Sequence, residues 1–223
     1  MIKSFLQNST RKAVKKISYF SSSEKAKKLT IASKYFLMIM LFSFMGCIME
    51  TIVCAIPNGI IYDCGFLTLP FCPIYGICII LIFLLLGTPK KKRGVLKNFS
   101  SPSIKNILYL TFSFIIPTVA ELIIGVFADK VLGVRLWHYY DYPLNFYGYI
   151  CLPVSLAWTV MIPLFMRFVF TPIEKLYLRI PDKAARISAY ILGTLMAVDF
   201  ITNIILLILG KDLLAAYLFH IYQ

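Results

Sequence analysis

Five apolar stretches of this chain are long enough to cross a lipid bilayer, and three of them contain an acidic residue. The stretches cover residues 35–56, 66–86, 107–127, 147–170 and 187–209. Each is close to the ~20 residues that a helix needs to cross ~30 Å of hydrocarbon. The acids are Glu50, Glu121 and Asp199. Because a carboxylate in hydrocarbon is costly, we expect these residues to face the interior of a helical bundle or a hydrated cavity.

The composition supports a membrane location. Hydrophobic residues make up 60% of the chain and charged residues 15%. A chain with so little polar surface cannot enclose a water-soluble core of its own size. The sequence therefore predicts an all-α, polytopic membrane helical bundle with five transmembrane helices.

The basic residues predict how the bundle is oriented. The net charge is +13, but nine of the 23 Lys and Arg residues precede the first span, six lie between spans two and three, and five lie within residues 167–186. Residues 57–65 contain none. This alternation follows the positive-inside rule, so we predict an inner N-terminus and an outer C-terminus, and no nucleic-acid partner.

Three regions follow from these patterns. Residues 1–33 form a basic N-terminal arm, residues 34–210 the transmembrane domain, and residues 211–223 a short outer tail. The first span is too long for the apolar part of a signal peptide and is expected to be retained. Two interpretations of the arm stay open: it lies on anionic lipid headgroups, or it is a solvated, partly disordered tail with a break at residues 21–23.

The first four spans resemble two helical hairpins. Spans one and three run outward, and Glu50 and Glu121 lie at similar depths, about 10 to 12 Å inside the outer boundary at 1.5 Å per residue. A cysteine close to a proline, Cys72 or Cys151, begins each returning span. We predict two parallel hairpins related by a pseudo-twofold axis along the membrane normal, with the fifth helix added last. Chance similarity between hydrophobic hairpins is the alternative.

Prolines and glycines interrupt the start of the second span. Residues 65–76 contain Pro70, Pro73 and two glycines. Because proline lacks a backbone donor, we expect a non-helical beginning with carbonyls free for water, an ion or a side chain. The alternative is an ordinary helix with proline in its first turn.

Two connections carry further patterns. Residues 137–143 are rich in aromatic side chains, which predicts either an aromatic belt at the outer surface or a lid over a cavity that contains Glu121. Residues 171–181 are bracketed by prolines and alternate apolar with charged residues, which predicts a short interfacial helix on the inner side.

In the last span, Asp199 and Asn203 are four residues apart and share a helical face. This pair predicts either an interhelical hydrogen-bond anchor or a proton-accepting site.

The six cysteines include no Cys-x-x-Cys pair, and packing is their expected role. Cys64, Cys72 and Cys151 should all lie near the outer face, so a disulfide, or a metal site with His138, stays open as the less favoured interpretation. We predict neither a metal nor a cofactor.

Long motifs connect the chain with a known family. They comprise residues 65–67, 70–76, Glu121-Leu122, Gly125, Arg135, Trp137, Tyr139, Asn145, Gly148, residues 150–152, Ser155, Trp158, Pro172, Lys175-Leu176, Ile180-Pro181 and Asp199. These stretches resemble the bacterial family called putative ABC transporter permease, CmpB type. The resemblance covers most of the chain from about Glu50 onward and implies a multi-pass protein of the bacterial cytoplasmic membrane. His138 and Tyr149 stand where the family usually has an acid and a base.

The resemblance and the acids together give the leading hypothesis. The chain would be a permease-like subunit whose polar, outward-opening cavity binds a cation or a protonated amine. The candidate binding residues are Glu50, Glu121, Asp199, Asn203, Tyr75, Cys72, Arg135, Trp137 and Asn145. The chain has no Walker A sequence, so an ABC transporter would need a separate cytoplasmic ATPase subunit besides the lipid bilayer, and a homo-oligomer stays open.

Two rival hypotheses stay open. The alternative is a non-transporting sensor or assembly subunit that docks a cytoplasmic partner through its basic inner face. An intramembrane enzyme ranks last, because no nucleophile and base have a diagnostic spacing. We therefore do not expect an enzyme. The acids could also be purely structural.

Overall fold

The computed structural model describes the chain over residues 2–58 and 66–210, and its side chains over residues 24–53 and 66–210. The α-helices are α1 (Ile2–Asn58), α2 (Pro73–Leu86), α3 (Pro102–Phe127), α4 (Leu152–Phe165), α5 (Thr171–Leu178) and α6 (Asp182–Ile208). A 3₁₀ helix spans Gly94–Asn98, and π-helical turns span Ala128–Leu132 and Met166–Phe170. Two short strands, β1 (Asn145–Phe146) and β2 (Ile150–Cys151), pair antiparallel. The predicted all-α class is confirmed.

Four helical stretches in the described part of the chain are long and apolar enough to cross a membrane. They are Glu24–Val53, Pro102–Leu132, Leu152–Leu178 and Asp182–Ile208. The expected second span is shorter, because α2 has only 14 residues. At 1.5 Å per residue it is about 21 Å long, less than the ~30 Å hydrocarbon core. The chain is thus an α-helical membrane protein whose described residues include four candidate membrane-spanning helices, and five crossings and the orientation stay predictions.

The predicted non-helical start of span two is confirmed. Residues 66–70 form bends, residues 71 and 72 are irregular, and the helix begins at Pro73, not at residue 66. Proline fits the first turn of a helix, where its missing N–H has no intrahelical partner. Gly65 lies outside the described residues.

Two other boundaries differ from expectation. The α1 helix runs without a break through residues 21–23, since nothing before Gly46 is a glycine or a proline. The fourth helix begins at Leu152 and not at residue 147, because Leu144 (φ 54°), Tyr147 (φ 50°) and Gly148 (φ 71°) cannot continue an α-helix.

The predicted interfacial helix of residues 171–181 is not a separate element. The segment α5 follows α4 directly through the π-helical turn Met166–Phe170, so helical structure continues from Leu152 to Leu178. Pro163 lies three residues before that turn and removes one backbone hydrogen bond from the helix.

The helices pack as two hairpins joined side by side. Helix α1 packs on α2, α3 packs on α4, α2 contacts α3, and α6 lies against α1. The hydrophobic core includes Met38, Phe42, Ile82, Phe83, Leu86, Met166 and Phe170. This arrangement agrees with the expected hairpins, while their pseudo-twofold relation stays a prediction.

The predicted inner end of the first span, near Lys34 in α1, is held by hydrogen bonds to the turn between α5 and α6. Lys34 Nζ donates to the Leu178 carbonyl at 3.2 Å and pairs with Asp182 at 3.0 Å. Beside it, the Tyr35 hydroxyl donates to Glu174 at 3.1 Å. These bonds fix the depth of α5 relative to α1 and so the position of α4 above it.

Candidate functional site

Glu50 and Glu121, one in each hairpin, each accept a hydrogen bond from an aromatic side chain, and the two aromatic rings contact each other. Glu50 Oε2 accepts hydrogen bonds from Tyr75 OH and from Cys72 Sγ, both at 3.2 Å. Glu121 Oε1 accepts one from Trp158 Nε1 at 2.8 Å. The rings of Tyr75 and Trp158 lie 5.5 Å apart between centroids. Each acid is therefore held by the returning half of its own hairpin, and the rings connect the two acids across the hairpins.

Glycines allow α1 and α2 to approach closely enough for this contact. A Cβ atom on Gly46 would lie 2.3 Å from Cδ2 of Tyr75, and one on Gly76 would lie 2.2 Å from the carbonyl oxygen of Ile39. Small residues at helix contacts are the usual way for membrane helices to pack tightly. The ring of Tyr75 can therefore lie flat against α1, one turn before Glu50.

A cavity of 210 Å³ lies between the two hairpins and next to the ring pair. It is lined by Phe42, Met45, Gly46, Met49, Ile74, Tyr75, Cys78, Ile79, Pro117, Glu121, Trp158, Met161, Ile162 and Phe165. Glu50 is not among the lining residues, whereas the leading hypothesis expected it to line the cavity. The hypothesis also expected the segment 65–76 there, and Ile74 and Tyr75 of that segment do line it.

Glu121 supplies the carboxyl group of this cavity. It is only 6% exposed, and its Oε2 atom has no hydrogen-bond partner among the described residues. A buried carboxyl group in this position needs a further partner in either protonation state: a donor or a cation if it is ionised, an acceptor if it is neutral. The remaining walls are apolar, aromatic or methionine side chains.

The size and the walls of the cavity restrict what it can hold. Its volume is below the ~300 Å³ at which drug-sized pockets begin, and far above the ~10–15 Å³ that one water molecule requires. Aromatic ring faces attract cations, most strongly tryptophan. Trp158 and Tyr75 line the cavity together with Glu121, so a small organic cation with an N–H donor would lie near both the carboxyl group and the two rings.

Asp199 and Asn203 lie outside the cavity and hold the non-helical segment 66–72. Asp199 Oδ2 accepts the backbone N–H of Leu69 at 3.1 Å, and Asn203 Nδ2 donates to Thr68 Oγ1 at 3.2 Å. Asn203 also donates to its neighbour one turn back, the carbonyl oxygen of Asp199, at 3.1 Å. The pair therefore joins α6 to this segment by hydrogen bonds, which favours the anchoring role among the two that its spacing predicted.

Arg135 lies in the loop after α3. It pairs with Asp129 at 3.3 Å, and its guanidinium lies 4.9 Å from the ring of Tyr140 and 4.8 Å from that of Tyr149. The Tyr149 hydroxyl donates to the same Asp129 carboxylate. That hydrogen bond raises the pKa of Tyr149 above its ordinary value. These contacts organise the loop, and Arg135 does not line the cavity.

Trp137 and Asn145 also organise this loop. Trp137 Nε1 donates to the Tyr149 carbonyl at 2.6 Å. Asn145 Nδ2 donates to the carbonyls of Tyr140 and Tyr142, and its Oδ1 accepts the N–H of Gly148. A Cβ on Gly125 would lie 3.4 Å from the Trp137 ring, so the loop covers α3 one turn beyond Glu121.

The cysteines show no disulfide in the described part of the chain. Cys47, Cys72, Cys78 and Cys151 are buried thiols, so Cys72 and Cys151 do not pair with each other. Cys64 lies outside the described residues. Over those residues, no three His, Cys, Asp or Glu side chains come close enough to bind a metal, and His138 lies beside the Tyr140 ring.

Several cavity residues carry no local sequence signal for a site. Met45, Met49 and Met161 look like ordinary membrane-facing residues, and Pro117 like a helix kink. Trp158 was singled out only as part of the family resemblance. A tryptophan in the middle of a membrane helix is itself a signal, since its N–H requires an acceptor there.

Comparison with known proteins identifies one family. The family model described as Putative ABC-transporter type IV, the CmpB type, matches residues 37–204. The match begins in α1 and ends in α6. The comparison with curated proteins finds no match, and neither does the comparison with solved structures.

Proposed function

The chain belongs to the family described as Putative ABC-transporter type IV, and on this premise we propose that it is the membrane-embedded, permease-like subunit of an ABC-type transporter. Its four long apolar helices and the cavity between its hairpins support this role. The transporter would act in the bacterial cytoplasmic membrane, and its cavity would open to the outer side in one state of the transport cycle.

The solute would be a small protonated amine. The observation that carries this proposal is the Oε2 atom of Glu121, which is buried in the cavity with no hydrogen-bond partner among the described residues. An ammonium group would supply the missing donor and the opposite charge. The Trp158 and Tyr75 rings beside it would add cation–π attraction.

The energy for transport would come from a separate ATPase subunit, since the chain itself has no phosphate-binding motif. The inner connection 87–98 is a candidate docking surface for it. In this connection the Leu96 side chain is 0% exposed, and Thr88 Oγ1 accepts the N–H of Lys91 at 3.1 Å. The exposed basic residues around them are Lys90, Lys91, Arg93 and Lys97.

The proposal is tested by reconstitution. The chain is purified in mild detergent with whatever proteins accompany it, placed in liposomes with ATP, and assayed for uptake of radiolabelled n-butylammonium. We expect an ATPase to co-purify, and Glu121→Gln to lose uptake. Glu24→Gln is the matched control, because Glu24 is exposed and pairs with Lys28 on the surface of its own helix. Uptake by Glu121→Gln equal to that of the control would contradict the proposed role of the acid.

A second candidate function is a non-transporting sensor or assembly subunit. The same inner connection favours it, because buried Leu96 fixes a cluster of exposed bases in one geometry, as docking requires. This candidate predicts that reversing the charge of Lys90 and Lys91 abolishes co-purification of the partner. It also predicts that Glu121→Gln alters only the stability of the helical bundle. Loss of amine uptake in Glu121→Gln with an intact partner complex would refute it.

A further inference from the structure

Two of the residues that line the cavity are exposed, and they lie on two different helices. Among its lining residues, Met45 on α1 is 37% exposed and Met161 on α4 is 44% exposed. The lining residues from α2 and α3 are buried or half-buried. The cavity therefore opens between α1 and α4, at a mouth formed by these two methionines.

The two methionines lie at the same level of the bundle. The rings of Phe42 and Phe165 make an edge-to-face contact with centroids 5.2 Å apart, which joins α1 and α4 below the mouth. Met45 follows Phe42 by about one helical turn, and Met161 precedes Phe165 by about one turn. Because α1 and α4 run in opposite directions as outward and returning halves of two hairpins, both methionines stand above the same phenylalanine contact.

This level is near the middle of the bilayer. Met45 lies about ten residues from either end of the apolar stretch 35–56, which is roughly 15 Å at 1.5 Å per residue. Half of a ~30 Å hydrocarbon core is the same distance. A side opening at that depth faces acyl chains, and not water or headgroups.

We propose that the ligand of this cavity is an amphipathic primary amine that enters sideways from the hydrocarbon, between Met45 and Met161. Its ammonium group binds Glu121 Oε2, and its apolar tail lies in the methionine-lined mouth. The inference rests on the proposed function and specifies the solute class and the route of that same site. Methionine suits such a mouth, because its flexible thioether adapts to tails of different shape.

Charge and shape select this occupant. A hydrophilic cation would have to cross hydrocarbon to reach the mouth, whereas an alkyl tail partitions there favourably. An amphipathic anion would meet the carboxyl group of Glu121 with a like charge. A quaternary ammonium would lack the N–H donor that Oε2 requires.

Equilibrium binding to the purified chain in phosphatidylcholine nanodiscs tests the solute class. The probes are n-octylammonium, octyltrimethylammonium, octanoate and methylammonium. We expect n-octylammonium to bind at least about tenfold more tightly than the other three, and Glu121→Gln to remove most of that preference. A dissociation constant of n-octylammonium that is unchanged in Glu121→Gln would overturn both this inference and the amine site of the proposed function.

Variants of the mouth test the route separately. Met161→Phe should slow the association of n-octylammonium severalfold, because a larger, stiffer ring narrows the mouth. Val160→Phe is the matched control, because Val160 is the adjacent residue, is 60% exposed and does not line the cavity. Equal association rates in both variants, with dependence on Glu121 intact, would overturn the lateral route and leave the amine site standing.

A second measurement does not depend on the variants. Lipids brominated at mid-chain quench tryptophans that acyl chains can reach. We expect part of the fluorescence to be quenched, this part to disappear in Trp158→Phe, and n-octylammonium to relieve the quenching. Absence of Trp158 quenching would mean that the mouth is closed to lipid, for example by a second copy of the chain, and would overturn the proposed route.

Discussion

Replacing Asp199 separates a structural anchor from a proton-accepting site. In the structure, its carboxylate accepts the backbone N–H of Leu69 at 3.1 Å. Asp199→Ala leaves that N–H without its side-chain partner, which costs about 1–3 kcal/mol. Asp199→Asn keeps an oxygen that can accept the same bond. We therefore expect the alanine variant to lose about 2 kcal/mol of unfolding free energy, and the asparagine variant less than about 1 kcal/mol.

The assay is unfolding of the purified protein by increasing SDS in mixed micelles, followed by far-ultraviolet circular dichroism. Thr202→Ala is the control on the same helix, because the Thr202 hydroxyl is exposed and donates to the Val198 carbonyl one turn back. Equal losses of unfolding free energy in Asp199→Ala and Asp199→Asn would show that stability depends on the charge of Asp199 and not on its acceptor oxygen. That result, or an alanine variant as stable as the control, would refute the anchor.

Two further predictions concern the ring pair and the outer loop. Gly46→Ala should push the Tyr75 ring away from α1 and lower the SDS concentration at the midpoint of unfolding, since the new Cβ would lie 2.3 Å from the ring. Gly193→Ala is the control and should not lower the midpoint, because its Cβ would make an ordinary 3.6 Å contact. Equal midpoints in the two variants would contradict the close packing. The raised pKa of Tyr149 means that its bond to Asp129 stabilises the loop below the ordinary tyrosine pKa of ~10 and is lost as pH rises through the raised value. Tryptophan fluorescence should therefore change in alkaline solution, and at a lower pH in Asp129→Asn; a transition unmoved by that substitution would contradict the pairing.

The sequence predicted well those features that depend on local chemistry. Pro70 and Pro73 cannot donate backbone hydrogen bonds, and the structure indeed begins α2 only at Pro73. Asp199 and Asn203 share a helical face by their spacing alone, and both turn toward the segment 66–72. Apolar length predicted the long helices, but it placed the start of the second span at residue 66 and of the fourth at residue 147, whereas α2 begins at Pro73 and α4 at Leu152.

Features that depend on contacts between helices could not be predicted. Hydropathy does not specify which helix an acid faces. Glu50 and Glu121 were expected in one cavity, and in the structure Glu121 lines the cavity and Glu50 does not. The β-hairpin before α4 depends on positive φ angles at Leu144 and Tyr147, which residues other than glycine rarely adopt and no sequence pattern signals. Met45 and Met161 are exposed residues of two different helices, and they line one cavity only because α1 and α4 lie next to each other.

The dissociation constant of n-butylammonium, measured for the wild type and for Glu121→Gln under identical conditions, tests the central claim most directly. The substitution keeps the shape of the side chain and an acceptor for Trp158 Nε1, but removes the negative charge from the cavity. If the free carboxylate oxygen is the binding point, the constant should rise about tenfold to a hundredfold. A constant within about twofold of the wild-type value would contradict the claim, since a twofold change corresponds to less than about 0.5 kcal/mol.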